Sequence, residues 1–156
     1  MSPFINTALR ADKPKPEGYP DRIETLGEHV RARRMDNGLY ITELAKLLGV
    51  DQETVINWEL RERIPPVHTW PKLIDYLGYY PGPIASLPDR ILGIRRCLGM
   101  SQEALARELG IDPGTLKRAR LGRNGFVDVA RLLNDYLSQL DYCTTTKRWL
   151  TTSSPP

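Results

Sequence analysis

Gln52, Glu53 and Asn57 are polar residues placed so that one helix face could carry all three. Their amides and carboxylate match the edges of bases in a DNA major groove, where Gln and Asn pair bidentately with adenine and Glu accepts from cytosine. Ile56 falls on the same outer side. Thr54 stands among them, and Arg61 and Arg63 follow within a few residues. A hydroxyl or guanidinium group there would meet phosphates, setting position without reading sequence. On an arbitrary helix such a face is merely solvated, so the elements that carry it decide its meaning.

Catalytic chemistry has less to work with. The sequence has no Gly-rich phosphate loop after a strand, no His/Cys/Asp/Glu cluster at metal-ligand spacing and no glycine-flanked serine elbow. His29 and His68 are isolated, and His29 falls inside a helical stretch where a partly buried histidine is expected. Cys97 and Cys143 stand far apart without a CxxC, which argues against structural zinc and against a disulfide framework. Cys97 reads as a small buried hydrophobe. The expectation is a protein that is not an enzyme and uses neither cofactor nor metal.

Short amphipathic helices without period-two runs predict an all-α fold. Thr25-Leu26-Gly27-Glu28 has capping-box spacing, so a first helix should run from about Leu26 to Asp36 and stop before Gly38. Ile41, Leu44, Ala45 and Leu48 share one face of a second helix that Gly49 ends. Asp51 is a suitable N-cap for a third, with Val55 and Trp58 inward and the polar face outward. This is a helix, a three-residue turn and a helix. Pro71 is expected as the first residue of a last helix that returns Leu73, Ile74 and Leu77 to the core before Gly78.

The pattern occurs twice. Shifted by 61 positions, residues 34–60 align with residues 95–121 without a gap and with nine of 27 positions identical, among them Gly38/Gly99, Ala45/Ala106, Gly49/Gly110 and Asp51/Asp112. Residues 24–80 and 81–140 are therefore expected to be two copies of one module. The stretch LGEHVRARRMDNGLYITELAKLLGVDQETVINWE resembles the lambda-repressor and Cro-like helix-turn-helix domains of bacteria and phages, with Ala45 at the helix crossing, Gly49 in the turn and Trp58-Glu59 ending the recognition helix. The resemblance covers about residues 24–80 and, more weakly, 86–140. It implies tandem five-helix domains that place the third helix in the major groove of double-stranded DNA, usually as dimers on palindromic operators. It also implies an ion pair between Arg34 and Glu59.

Departures from the family pattern separate the copies. A small hydroxyl residue followed by Gln commonly opens the second helix, capping it and contacting phosphate. The first module has Tyr40-Ile41 there, and the second has the pair as Ser101-Gln102. Its recognition helix, however, begins Asp112-Pro113-Gly114, which offers no side-chain donors where the first has Gln52 and Glu53. Lys117, Arg118, Arg120 and Arg123 crowd that helix and its loop and suit phosphate or guanine. The equivalents of Arg34, Glu59 and Trp58 are Arg95, Arg120 and Ala119, so two cations replace an ion pair beside a lost ring. Either Arg120 turns to solvent or the module loosens.

Composition supports a globular chain: 156 residues, 40% hydrophobic and 26% charged. Formal charge is +1 over residues 1–20, −2 over 21–80 and +4 over 81–156, and the basic surplus suggests an anionic partner. Apolar runs are too short to span a bilayer and the first residues do not read as a signal peptide, so a cytoplasmic, nucleoid-associated protein with no membrane partner is expected. Residues 1–23, with Arg10, Lys13 and Lys15, read as a flexible arm, and residues 141–156 read as a flexible tail. Residues 79–86, YYPGPIAS, read as a short stiff linker. The reading is a sequence-specific regulator, expected to repress by occupying a promoter, alone or as a homodimer. The alternative is an adaptor or antitoxin-like module whose second domain binds a protein partner.

Overall fold

The computed structural model describes residues 14–123 and 125–140; Arg10, Lys13, Cys143 and the expected C-terminal tail lie outside the described residues. The described chain is all-helical. A first set comprises α1 (Leu26–Asp36), α2 (Ile41–Leu48), α3 (Gln52–Leu60), a 3-10 turn (Val67–Thr69) and α4 (Trp70–Leu77). A second comprises α5 (Leu87–Leu98), α6 (Gln102–Glu108), α7 (Pro113–Arg120) and α8 (Val129–Gln139). Five helical segments are present in the first set, but only four among the described residues of the second. Before α8, Gly122 lies in the left-handed region and Phe126 is wholly exposed.

Local chemistry accounts for the boundaries. The Thr25 hydroxyl accepts from the Glu28 amide at 3.3 Å, and the Glu28 carboxylate accepts from the Thr25 amide at 2.8 Å, closing the capping box at α1. Gly49 at φ 69° ends α2 in a left-handed conformation that a Cβ would strain, and Gly110 at φ 68° repeats it after α6. Asp51 occupies the N-cap of α3 in extended conformation, but contrary to expectation its side chain makes no capping bond. In α4 the first residue is Trp70, with Pro71 second, because the preceding 3-10 turn runs directly into the helix.

Two cores result. Val30, Leu44, Leu48, Val55, Trp58, Leu73, Ile74 and Leu77 build the first, and Ile91, Ile94, Leu105, Leu109, Leu116 and Leu133 build the second. The segment expected as a linker is instead partly core: Tyr79 is 8% exposed and Tyr80 is 1% exposed, and Ile84 packs on the same cluster. Large aromatic rings bury where a fold offers them apolar surface, and the intervening prolines do not prevent it. The second set is also seated on the first. Arg96 of α5 stacks over the Trp70 ring at 4.0 Å and donates to the Tyr80 hydroxyl at 3.3 Å, and Cys97 packs against the first core. Burial pushes the Cys97 thiol up to about 12, so it remains a protonated apolar side chain, as expected.

Tyr79 also contacts His29 of α1, whose Nδ1 lies 2.6 Å from the Tyr79 hydroxyl. Burial lowers the His29 pKa against a smaller opposing pull from Glu28. Below the unfolded value of about 6.5 the unfolded chain therefore takes up protons that the folded chain resists. This contribution is expected to be full above that value, to shrink as pH falls towards the lower folded value, and to change no further below it. Urea unfolding between about pH 7 and pH 5 should show the slope, and His29→Gln should flatten it. Equal slopes in the two proteins would refute the linkage.

Candidate nucleic-acid interface

The orientation of α3 is set from its buried side. Val55 and Trp58 are 0% and 3% exposed, and Glu59 is drawn inward with them. Arg34 of α1 meets the Glu59 carboxylate as a fork, Nε to Oε1 and Nη2 to Oε2, both at 2.8 Å. Its Nη1 donates to the Leu39 carbonyl at 3.0 Å, so the guanidinium links α1, the turn before α2, and α3. The hydrogen bond to Glu59 holds the Arg34 pKa above its ordinary value despite burial. With Val55, Trp58 and Glu59 inward, the opposite side carries the expected readers: Gln52 and Glu53 are exposed, and Thr54, Ile56 and Asn57 are half-buried.

Arg61, expected from sequence to meet phosphate, instead contacts Glu53 and Asn57. Arg61 Nη1 donates to Glu53 Oε1 and to Asn57 Oδ1, the latter at 2.7 Å, so one guanidinium joins two of the expected base readers. The backbone amides of Arg61 and Arg63 both donate to the Asn57 carbonyl, at 3.2 and 3.1 Å, and fold the following loop back on the helix end. The signal was present in the sequence, since residues 53, 57 and 61 recur every four positions along one stripe. Arg63 is exposed beside them.

Gly27 was not singled out from sequence, yet it determines how closely α1 meets α3. A Cβ added there would lie 2.2 Å from the Trp58 carbonyl oxygen. The first turn of α1 therefore passes directly against the backbone of α3.

In the second set Ser101 caps α6, its hydroxyl accepting from the Ala104 amide at 3.1 Å, and Gln102 Nε2 lies 3.5 Å from the Pro113 carbonyl oxygen. In the first set Tyr40 supplies no such cap; its own amide donates to Glu43 at 2.7 Å. Asp112 caps α7 by accepting from the Gly114 amide at 2.8 Å. Lys117, Arg118, Arg120 and Arg123 are all exposed, with Arg118 donating to Thr115 Oγ1 at 3.3 Å. Ala119, the counterpart of Trp58, lines an opening of about 430 Å³ bordered by Leu87, Val129 and both Arg118 and Arg123.

Arg95 keeps the contact that Arg34 makes at its turn, reaching the Met100 carbonyl at 3.4 Å, while Arg120 is turned to solvent. Burial, and next the charge of Arg120, lower the Arg95 pKa. Arg120→Glu is expected to place an anion near Arg95 and stabilise the second set by up to about 1 kcal/mol, the scale of a solvent-screened pair. Hydrogen exchange should register it as slower opening of residues 101–121, and faster opening would contradict the like-charge account.

Among the described residues no group of three or more His, Cys, Asp or Glu is placed to hold a metal, and no helix is long and apolar enough to cross a membrane. In comparison with known proteins, residues 30–84 match the model of a family described as Helix-turn-helix. The match spans α1 from Val30 through α4 and ends before α5. No curated protein and no solved structure matches the chain.

Proposed function

We propose that this chain, whose residues 30–84 form a helix-turn-helix domain, is a transcriptional regulator that reads DNA through α3 and represses by occupying a promoter. The observation that carries this reading is the division of α3 into two sides. Val55, Trp58 and the Arg34-paired Glu59 hold one side against the core, which leaves Gln52, Glu53 and Asn57 directed away from it as a preorganised polar edge. Residues 24–80 supply sequence preference.

Residues 81–140 act as a second module that adds affinity of a less selective kind. Lys117, Arg118, Arg120 and Arg123 have the charge to neutralise phosphates, and Pro113 and Gly114 bring no side-chain donors to the start of α7. Seating of α5 on Trp70 and Tyr80 supports a fixed spacing between the modules, so one chain could engage two neighbouring stretches of a duplex.

Selection of bound fragments from random duplex DNA, followed by salt titration of the selected fragment, tests the reading. A regulator of this kind should return a defined motif and an affinity that falls steeply with salt. Recovery of fragments without a shared motif would count against it.

A further inference from the structure

Arg61 is committed before any DNA arrives. A guanidinium has only N–H donors, so the Asn57 atom that faces Nη1 must be the carbonyl oxygen, which leaves the amide NH2 as the free end. Bidentate pairing with adenine needs both ends at once: the oxygen to accept from N6 and the NH2 to donate to N7. With one lone pair of Oδ1 taken by Arg61, Asn57 is left a weaker acceptor for adenine N6, and the guanidinium sets further N–H donors beside its NH2. Glu53 spends one carboxylate oxygen on the same guanidinium and keeps the other as an acceptor.

We propose that Glu53, Asn57 and Arg61 act as one reading unit that selects G·C pairs rather than the adenine expected of Asn57 by itself. The inference rests on the reading of α3 given above. The free Glu53 oxygen suits the cytosine N4 amino group, and the uncommitted N–H groups of Arg61 and Asn57 suit the guanine O6 and N7 acceptors. Arg61 is then a specificity-determining residue, where residue type and loop position had suggested a phosphate anchor. The unit also removes an electrostatic conflict, because Arg61 offsets the Glu53 charge that would otherwise face the phosphate backbone.

The test is selection from random duplex DNA with the full chain as wild type, Arg61→Ala and Arg61→Lys. The wild type should select G·C at the position or positions facing the unit. Arg61→Ala frees Asn57 Oδ1, so preference there should move towards A·T by about tenfold relative to G·C while the rest of the motif is kept. Arg61→Lys retains the charge and should hold the salt slope while the G·C preference still relaxes. Unchanged thermal unfolding of both variants is expected, since the Arg61 side chain is 57% exposed. If Arg61→Ala instead weakened every sequence alike, kept the motif and reduced the salt slope by about one, Arg61 would be a phosphate anchor and this proposal would be overturned alone. A wild-type chain that selected no motif would overturn the reading of α3 as well.

Discussion

Replacing Arg34 with methionine is expected to cost about 3–5 kcal/mol of unfolding free energy, the scale of removing one member of a buried ion pair. The Glu59 side chain is 1% exposed, and after the substitution its carboxylate would remain in the interior without the two hydrogen bonds that Arg34 supplies. The Leu39 carbonyl would lose a donor as well. Removing both charges should be far less harmful, because apolar groups of similar volume often replace a buried pair at little cost. Arg34→Met combined with Glu59→Leu is therefore expected to recover most of the loss. Chemical unfolding of the two single variants and the double variant gives the coupling directly. A single-variant loss below about 1 kcal/mol, the range of exposed pairs, would mean that Glu59 finds water or another partner. Since Glu59 lies on α3, the single variants should also blunt any DNA preference.

Gly27→Ala should destabilise the first set by about 3 kcal/mol, the upper end of ordinary overpacking. The added carbon would lie 2.2 Å from the Trp58 carbonyl oxygen, 3.1 Å from its carbonyl carbon and 3.2 Å from Glu59 Cα. All three are backbone atoms, so no rotamer change relieves the clash, and α1 must move away from α3. Gly38→Ala is the control. Its Cβ would meet nothing within 4 Å, and only the left-handed backbone, φ 65°, opposes it, at a cost of about 1–2 kcal/mol. If the two variants melted alike, α1 and α3 would be separating at less cost than this contact implies, and the account of Gly27 would be wrong. The second module has Pro88 at the equivalent position, a residue with the Cβ that Gly27 lacks, so the repeat has not preserved this close approach.

Sequence and tertiary structure contributed different things. Capping chemistry and glycine placement are local, acting over three to five residues, so Thr25-Glu28, Gly38 and Gly49 mark the boundaries of α1 and α2 without knowledge of the rest of the fold. Helical periodicity likewise separates Leu44, Leu48, Val55 and Trp58 from the polar face of α3, because burial follows the stripe. The repeat and its damage, Trp58 to Ala119 and Glu59 to Arg120, are matters of alignment and need no coordinates. Contacts between distant segments are another matter. That Tyr79 and Tyr80 would enter the first core, that Arg96 would stack on Trp70, and that Gly27 would touch the Trp58 backbone depend on how helices cross, which spacing along the chain does not encode. The Arg61 bridge lies between these cases. Its three residues share a stripe legible in the sequence, but a charged side chain on a helix face can turn to solvent, to phosphate or to a neighbour with small differences in free energy. Only the folded end of α3, with the Arg61 and Arg63 amides held on the Asn57 carbonyl, brings that guanidinium back over Asn57 and Glu53.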